Sequence, residues 1–118
     1  MKFNWKCKSA LYIGRFQPFH EGHKKMFLKG LREYGQVSIL VMDSQGINKK
    51  NPYSFTYVKK KINDSLKKYK NNYIIIKVPV VGSVIYGRKV GYKIKKIKLS
   101  KEIESISATK IRNKKLIK

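Results

Sequence analysis

A chain of 118 residues with 42% hydrophobic and 12% aromatic side chains can bury roughly two-thirds of its unfolded surface in one domain, which excludes disorder. The single cysteine, Cys7, excludes an internal disulfide, no apolar run approaches the ~18 residues of a membrane span, and residues 1–14 lack a signal-peptide core, so a cytoplasmic location is expected. A net charge of +23 would draw any polyanion, but 25 of the 29 cations are lysines spread along the chain, as a lysine-rich composition leaves them on solvated positions, and nucleic acid is not expected as a partner.

Lys8 to Ile13 reads as a short strand ending at Gly14. From Gly22 the residues Met26, Phe27, Gly30, Leu31 and Tyr34 keep helical spacing, with Gly35 as the stop. Val37 to Met42 is a continuous apolar run of the length of a buried parallel strand. A loop follows through Asp43-Ser44-Gln45-Gly46 to Pro52, and Phe55, Val58, Ile62, Leu66 and Tyr69 space out a second amphipathic helix. Tyr73 to Val78 is a third strand, ended by Pro79. Val84 to Tyr86 and Tyr92 to Leu99 are weaker strands, separated by a Gly-Arg-Lys-Val-Gly turn, and a last helix starts near Ser107. Helices alternating with apolar strands predict an α/β fold over residues 1–118 as a single domain, with a mainly parallel sheet of about five strands. Ligands of such sheets sit at the carboxyl ends of the strands, where the first loop, the Asp43 loop and the start of the last helix would meet.

Residues 14–23 read GRFQPFHEGH and hold both histidines of the chain, His20 and His23. A strand that turns through Gly14 and passes into a helix N-terminus presents free N–H groups and a positive dipole end, a ready place for phosphate. Two imidazoles there add donors that can follow charge as it builds on phosphorus. Gly22 in the first helical turn costs about 1 kcal/mol against alanine, a cost that close approach of a nucleotide would explain. The histidines are three apart, with no cysteine or acidic cluster to complete a zinc set, so no protein metal site is expected. Arginine is rare here: Arg15 follows Gly14, Arg88 lies in Tyr86-Gly87-Arg88, Arg112 ends Ser107-Ala108-Thr109-Lys110-Ile111-Arg112, and Arg32 alone reads as an ordinary helix-surface residue. In a lysine-rich chain such positions suggest a need for a planar, bidentate donor. Ser107 and Thr109 are candidates to cap the last helix or to turn to a phosphate, with Arg112 one turn along the same face.

GRFQPFHEGH resembles the first signature of the HxGH nucleotidylyltransferase superfamily, in the branch that includes archaeal-type nicotinamide-mononucleotide adenylyltransferases. Ile106 to Arg112 resembles that superfamily's second signature, ISxTxIR, and Asn51-Pro52-Tyr53 resembles the NPF segment before its middle helix. The chain is also similar, nearly throughout, to small bacterial and phage proteins described as cytidylyltransferase-like or linked to adenylylsulfate metabolism, which share GRFQPFHEGH and YGRxVGY. The resemblance implies a Rossmann-like three-layer sandwich and an in-line attack by an anionic acceptor on the α-phosphorus of a nucleoside triphosphate, with release of pyrophosphate. It implies that His20 and His23 act on the bridging and α-phosphate oxygens. Arg112, Ser107 and Thr109 would hold the β- and γ-phosphates with help from Arg15, while Gly14, Phe16, Gln17 and Gly22 shape the nucleotide site. Mg²⁺ is expected with the triphosphate, held by phosphates and water.

ATP is favoured over CTP because the GRFQP form resembles adenylyltransferases. Asp43, Gln45 and Arg88 are candidates for contact with the acceptor, against the alternative of plain turns. The Gly-Glu-Arg that follows NPF in the adenylyltransferase branch is replaced here by residues starting Ser54-Phe55-Thr56, which leaves the acceptor open. A nucleotide-binding relative without turnover and a basic nucleic-acid-binding protein are the alternative readings. Edge strands of so small a sheet could also pair between subunits. Trp5 and Cys7 are expected to pack against or flank the first strand.

Overall fold

The computed structural model describes residues 2–43, 51–85 and 87. In chain order these form β1 (Ala10–Gly14), α1 (Glu21–Tyr34), β2 (Val37–Met42), α2 (Phe55–Ser65) and β3 (Tyr73–Val78), with a 3-10 turn at Lys67–Tyr69 after α2. The strands lie in the order β1-β2-β3, and both pairs are parallel. This is the Rossmann-like α/β arrangement that alternating strands and helices predict.

The register sets Ala10 beside Val37 and Val37 beside Tyr73, then Tyr12 beside Ile39 and Ile39 beside Ile75. Alternate side chains of a strand share a face, so these residues form one apolar surface. Val37, Ile39 and Val41 are buried there with Phe27 of α1 and Val58 and Ile62 of α2. Both helices therefore cover the same face of the sheet. Leu11, Ile13, Leu40, Ile74 and Ile76 point to the other face, where Leu11 and Ile76 are exposed. The third layer and further strands of the expected sandwich, including Tyr92–Leu99 and the last helix, lie outside the described residues. Val84 and Ile85, expected in a strand, are exposed and irregular.

Three boundaries show local physics at work. Helix α1 stops at Gly35, which takes the left-handed conformation (φ 78°) while its N–H bonds the Leu31 carbonyl at 2.7 Å. The second helix stops being α-helical at Ser65 rather than reaching Tyr69, because the chain tightens into an i→i+3 bond from Tyr69 N–H to the Leu66 carbonyl. That tightening still sets the Tyr69 ring 5.9 Å from Phe27, so the apolar spacing is used although the helix type changes. Strand β1 starts at Ala10 rather than Lys8, since the buried Gln36 amide takes the carbonyls of Asn4, Cys7 and Lys8 at 2.9–3.1 Å. Trp5 flanks β1 but does not pack into the core: 78% of its surface is exposed. Among the described residues no helix is long and apolar enough to cross a membrane.

Candidate active site

Strand β1 delivers the chain to the carboxyl edge of the sheet at Gly14, and the next residues fold back on themselves. Phe16 holds φ at +54°, a conformation that bulky L-residues avoid at a cost of about 1–3 kcal/mol. Its ring turns under Gly14, so closely that a Cβ there would lie 2.8 Å from Phe16 Cζ and 2.9 Å from Cε1. The ring is 98% buried (2% exposed) and enclosed edge-on by Tyr12 and His23, with Phe19 on a third side. It has nowhere to yield. Gly14→Ala is therefore expected to destabilise the fold by about 1–3 kcal/mol through overpacking, read as a lowered Tm; an unchanged Tm would contradict this packing.

Gln17 follows, buried, with a cis peptide bond to Pro18. Its side-chain amide donates to the Tyr53 carbonyl and accepts from the Tyr53 N–H, both at 2.9 Å. This two-point clamp ties the first loop to the segment that enters α2. Ser54 then caps α2, its Oγ accepting from Tyr57 N–H at 3.2 Å. Gln17 thus also works in the fold as a brace between two loops.

The two histidines close the N-terminus of α1 on each other. His20 is the N-cap, and its Nδ1 accepts from Gly22 N–H at 3.0 Å. His23 reaches back so that its Nδ1 accepts from His20 N–H at 3.1 Å, a capping box built from imidazoles. A nitrogen that accepts carries no proton, so each neutral ring holds its proton on Nε2, on the side away from the helix backbone. The rings stack with centroids 3.8 Å apart and planes at 27°, and Phe19 also stacks on His23, with centroids 5.5 Å apart. Burial lowers the pKa of His20. Burial, with a smaller contribution from the charge of His20, lowers that of His23 to about 3. At neutral pH both rings are uncharged donors beside a positive helix end. That arrangement fits an anion and can strengthen its hold as charge builds.

The cytidylyltransferase-like family matches residues 11–62, which span β1, the histidine loop, α1, β2 and most of α2. A crystal structure of a bifunctional NMN adenylyltransferase/ADP ribose pyrophosphatase from Francisella tularensis, complexed with AMP and a manganese ion, is similar at 30% identity and a TM-score of 0.58 over 62% of this chain. Over this first half the chain is similar to the HxGH nucleotidylyltransferase superfamily. It covers 23% of the Francisella enzyme's length. No curated protein sequence matches it.

Other residues expected at the superfamily site divide by position. Gly14, Phe16, Gln17, His20, Gly22 and His23 are brought together in the loop just described, and Arg15 is exposed on it. Asp43 ends β2 at the same sheet edge, but its carboxylate meets Lys77 Nζ of β3 at 3.4 Å, and Lys77 also lies 5.7 Å from the Phe55 ring centroid. Gln45, Arg88, Ser107, Thr109 and Arg112 lie outside the described residues. Sequence reasoning passed over two contributors. Phe19 walls in His23, and its place directly before the first histidine was the available signal. Lys77 follows the apolar run Ile74-Ile75-Ile76 near the carboxyl end of β3, where its charge among apolar neighbours was the available signal.

Proposed function

We propose that the chain is a nucleotidylyltransferase that moves AMP from ATP to a small anionic acceptor and releases pyrophosphate. The observation that carries this reading is the pair of neutral imidazoles, each locked as an Nε2–H donor at the start of α1. An acceptor oxygen forms a bond to the α-phosphorus while the bond from that phosphorus to the bridging oxygen of pyrophosphate breaks. An acceptor phosphate is already an anion, so no general base is needed, and catalysis rests on positioning and charge stabilisation. His20 and His23 donate to the α-phosphate and bridging oxygens, while Arg15 and, by resemblance, Ser107, Thr109 and Arg112 take the β- and γ-phosphates.

Among the described residues no group of three or more His, Cys, Asp or Glu side chains could hold a metal ion. Glu21 lies 4.0 Å from Lys25, Asp43 is paired with Lys77, and both histidines keep Nε2 protonated. In this reading Mg²⁺ arrives with the substrate as MgATP, held by phosphates and water. The Francisella structure holds both AMP and a manganese ion, which supports an adenine nucleotide and the use of a divalent ion. Nicotinamide mononucleotide is the first acceptor to test, on that enzyme's named activity. The exposed, free thiol of Cys7 suits the reducing cytoplasm.

A CTP-using enzyme is the second reading, favoured by the family that matches residues 11–62. Pyrophosphate release measured with ATP and with CTP, across nicotinamide mononucleotide, phosphorylated alcohols and sulfate, separates the two. ATP-dependent release with one acceptor is expected. Nucleotide binding without release on any acceptor would replace the enzyme with a nucleotide-binding relative.

A further inference from the structure

The end of the sheet opposite the histidines carries a second feature that nucleotidyl transfer does not use. The amino ends of the parallel strands and the carboxyl ends of α1 and α2 meet there. The 14 residues of α1 separate this end from His20 by about 20 Å. Trp5 stands 78% exposed on a turn closed by Cys7 N–H to the Asn4 carbonyl at 3.0 Å and by Lys6 N–H to Asn4 Oδ1 at 2.9 Å. Phe3 braces the indole edge-on, with ring centroids 5.6 Å apart.

The turn is held from inside. Gln36, 6% exposed, accepts from Asn4 N–H through Oε1 and donates through Nε2 to the carbonyls of Asn4, Cys7 and Lys8. A buried amide engaged at both ends fixes the turn, and with it the place of the indole. Leaving the largest apolar side chain in water forgoes its burial, and a rigid display removes the ordering cost that a ligand would otherwise meet.

Lys2, Lys6 and Lys8, close to Trp5 in sequence, are exposed, and no acidic residue lies between Lys2 and Glu21. Arg32 in the last turn of α1, with Lys67, Lys68 and Lys70 ahead of β3, lies toward the same end. Asn72 links those loops, its side chain donating to the Gly35 carbonyl at 3.2 Å and its carbonyl accepting from Val37 N–H at 3.0 Å. Asp64, which α2 brings toward this end, is held by Lys60 at 3.0 Å. The amino-terminal end of the sheet thus carries exposed cations together with a fixed, flat aromatic face. Cations beside an exposed indole match phosphates beside an unstacked base. A duplex hides the faces of its bases, and two rings make a small apolar patch for a membrane.

We infer that this turn is a stacking platform for single-stranded nucleic acid, with a base on Trp5 and backbone phosphates on Lys2, Lys6 and Lys8. Trp5 is the only tryptophan, so its fluorescence reports the site directly. Titrating the whole chain with oligothymidylate should quench that fluorescence, with a Kd of about 10⁻⁴–10⁻⁶ M at physiological salt. Heparin, a polyanion without bases, should bind with no comparable quench.

With a labelled oligothymidylate followed by anisotropy, Trp5→Ala should weaken binding roughly 5- to 100-fold, and Trp5→Phe should recover most of the loss. Lys6→Gln and Lys8→Gln should each lower the slope of log K against log salt by about 0.7. Trp5→Ala should keep pyrophosphate release at the parent level, so failure here and failure of the proposed enzyme are separate results. Unchanged oligonucleotide affinity in Trp5→Ala overturns the platform. So does a blue shift on phosphatidylglycerol vesicles with no quench by oligothymidylate, which would make the turn a membrane anchor.

Discussion

His20→Asn should leave the melting temperature at or above that of the parent while turnover falls by about 10²–10³. Asparagine is among the best N-cap residues, and its Oδ1 can take the Gly22 N–H that His20 Nδ1 now accepts at 3.0 Å. The helix keeps its cap, but the second nitrogen of the ring, with its outward N–H, is gone. His23→Gln makes the same separation one turn along. Glutamine is the usual partner in a capping box, so it can accept from His20 N–H in place of Nδ1, and again the Nε2–H donor is lost. Alanine at either position removes cap and donor together, and should cost about 0.5–2 kcal/mol of stability besides the activity. Thermal unfolding paired with single-turnover nucleotidyl transfer reads both quantities on one sample. Turnover within a few-fold of the parent in a stable His20→Asn protein would mean that the rings serve only the helix.

This double duty explains what sequence could and could not convey. Strands β2 and β3 were legible end to end because they are mainly apolar runs, broken only by Ser38 and Lys77, with punctuation at Gly35 and Pro79. Helix α1 was legible from its spacing and from its terminal glycine. The start of β1 was not, because a side chain far along the chain, Gln36, decides where residues 4–8 bond. The chemistry of GRFQPFHEGH was visible in its residue types, but its internal wiring was not. Nothing in the letters says that Phe16 adopts a positive φ, since phenylalanine disfavours it and only enclosure by Tyr12, Phe19 and His23 sustains it. That Gln17 also braces the second loop was not legible, because its partner, the backbone of Tyr53, carries no sequence signature. Histidine is not a usual N-cap, so the use of both Nδ1 atoms inside the helix terminus, which fixes the tautomer, had to be seen.

Acidification should therefore damage this protein first at its histidine pair. The His23 pKa is lowered from 6.5 to about 3, chiefly by burial, so between those values the unfolded chain binds a proton that the folded one refuses. A depressed histidine makes stability rise with pH across that window. Its contribution is complete above about 6.5 and is lost as pH falls toward 3, with a slope of at most about 1.4 kcal/mol per pH unit for one proton. His20, lowered in the same direction by burial, adds to the effect. The reason is visible in the hydrogen bonds: a protonated Nδ1 would point a donor at the N–H it now accepts, so charging either ring opens the cap it makes. Carboxylates titrate in part of this range, and the difference between parent and His23→Gln isolates the histidine. Plotted between pH 4.5 and 7, the parent's stability should fall more steeply toward acid than that of His23→Gln. Nucleotidyl transfer should decline over the same range rather than gain from a newly charged imidazolium. A rate that climbs as pH drops from 7 to 5 would mean that the charged ring is the active donor, and the neutral, doubly capped pair would then be a resting state rather than the working one.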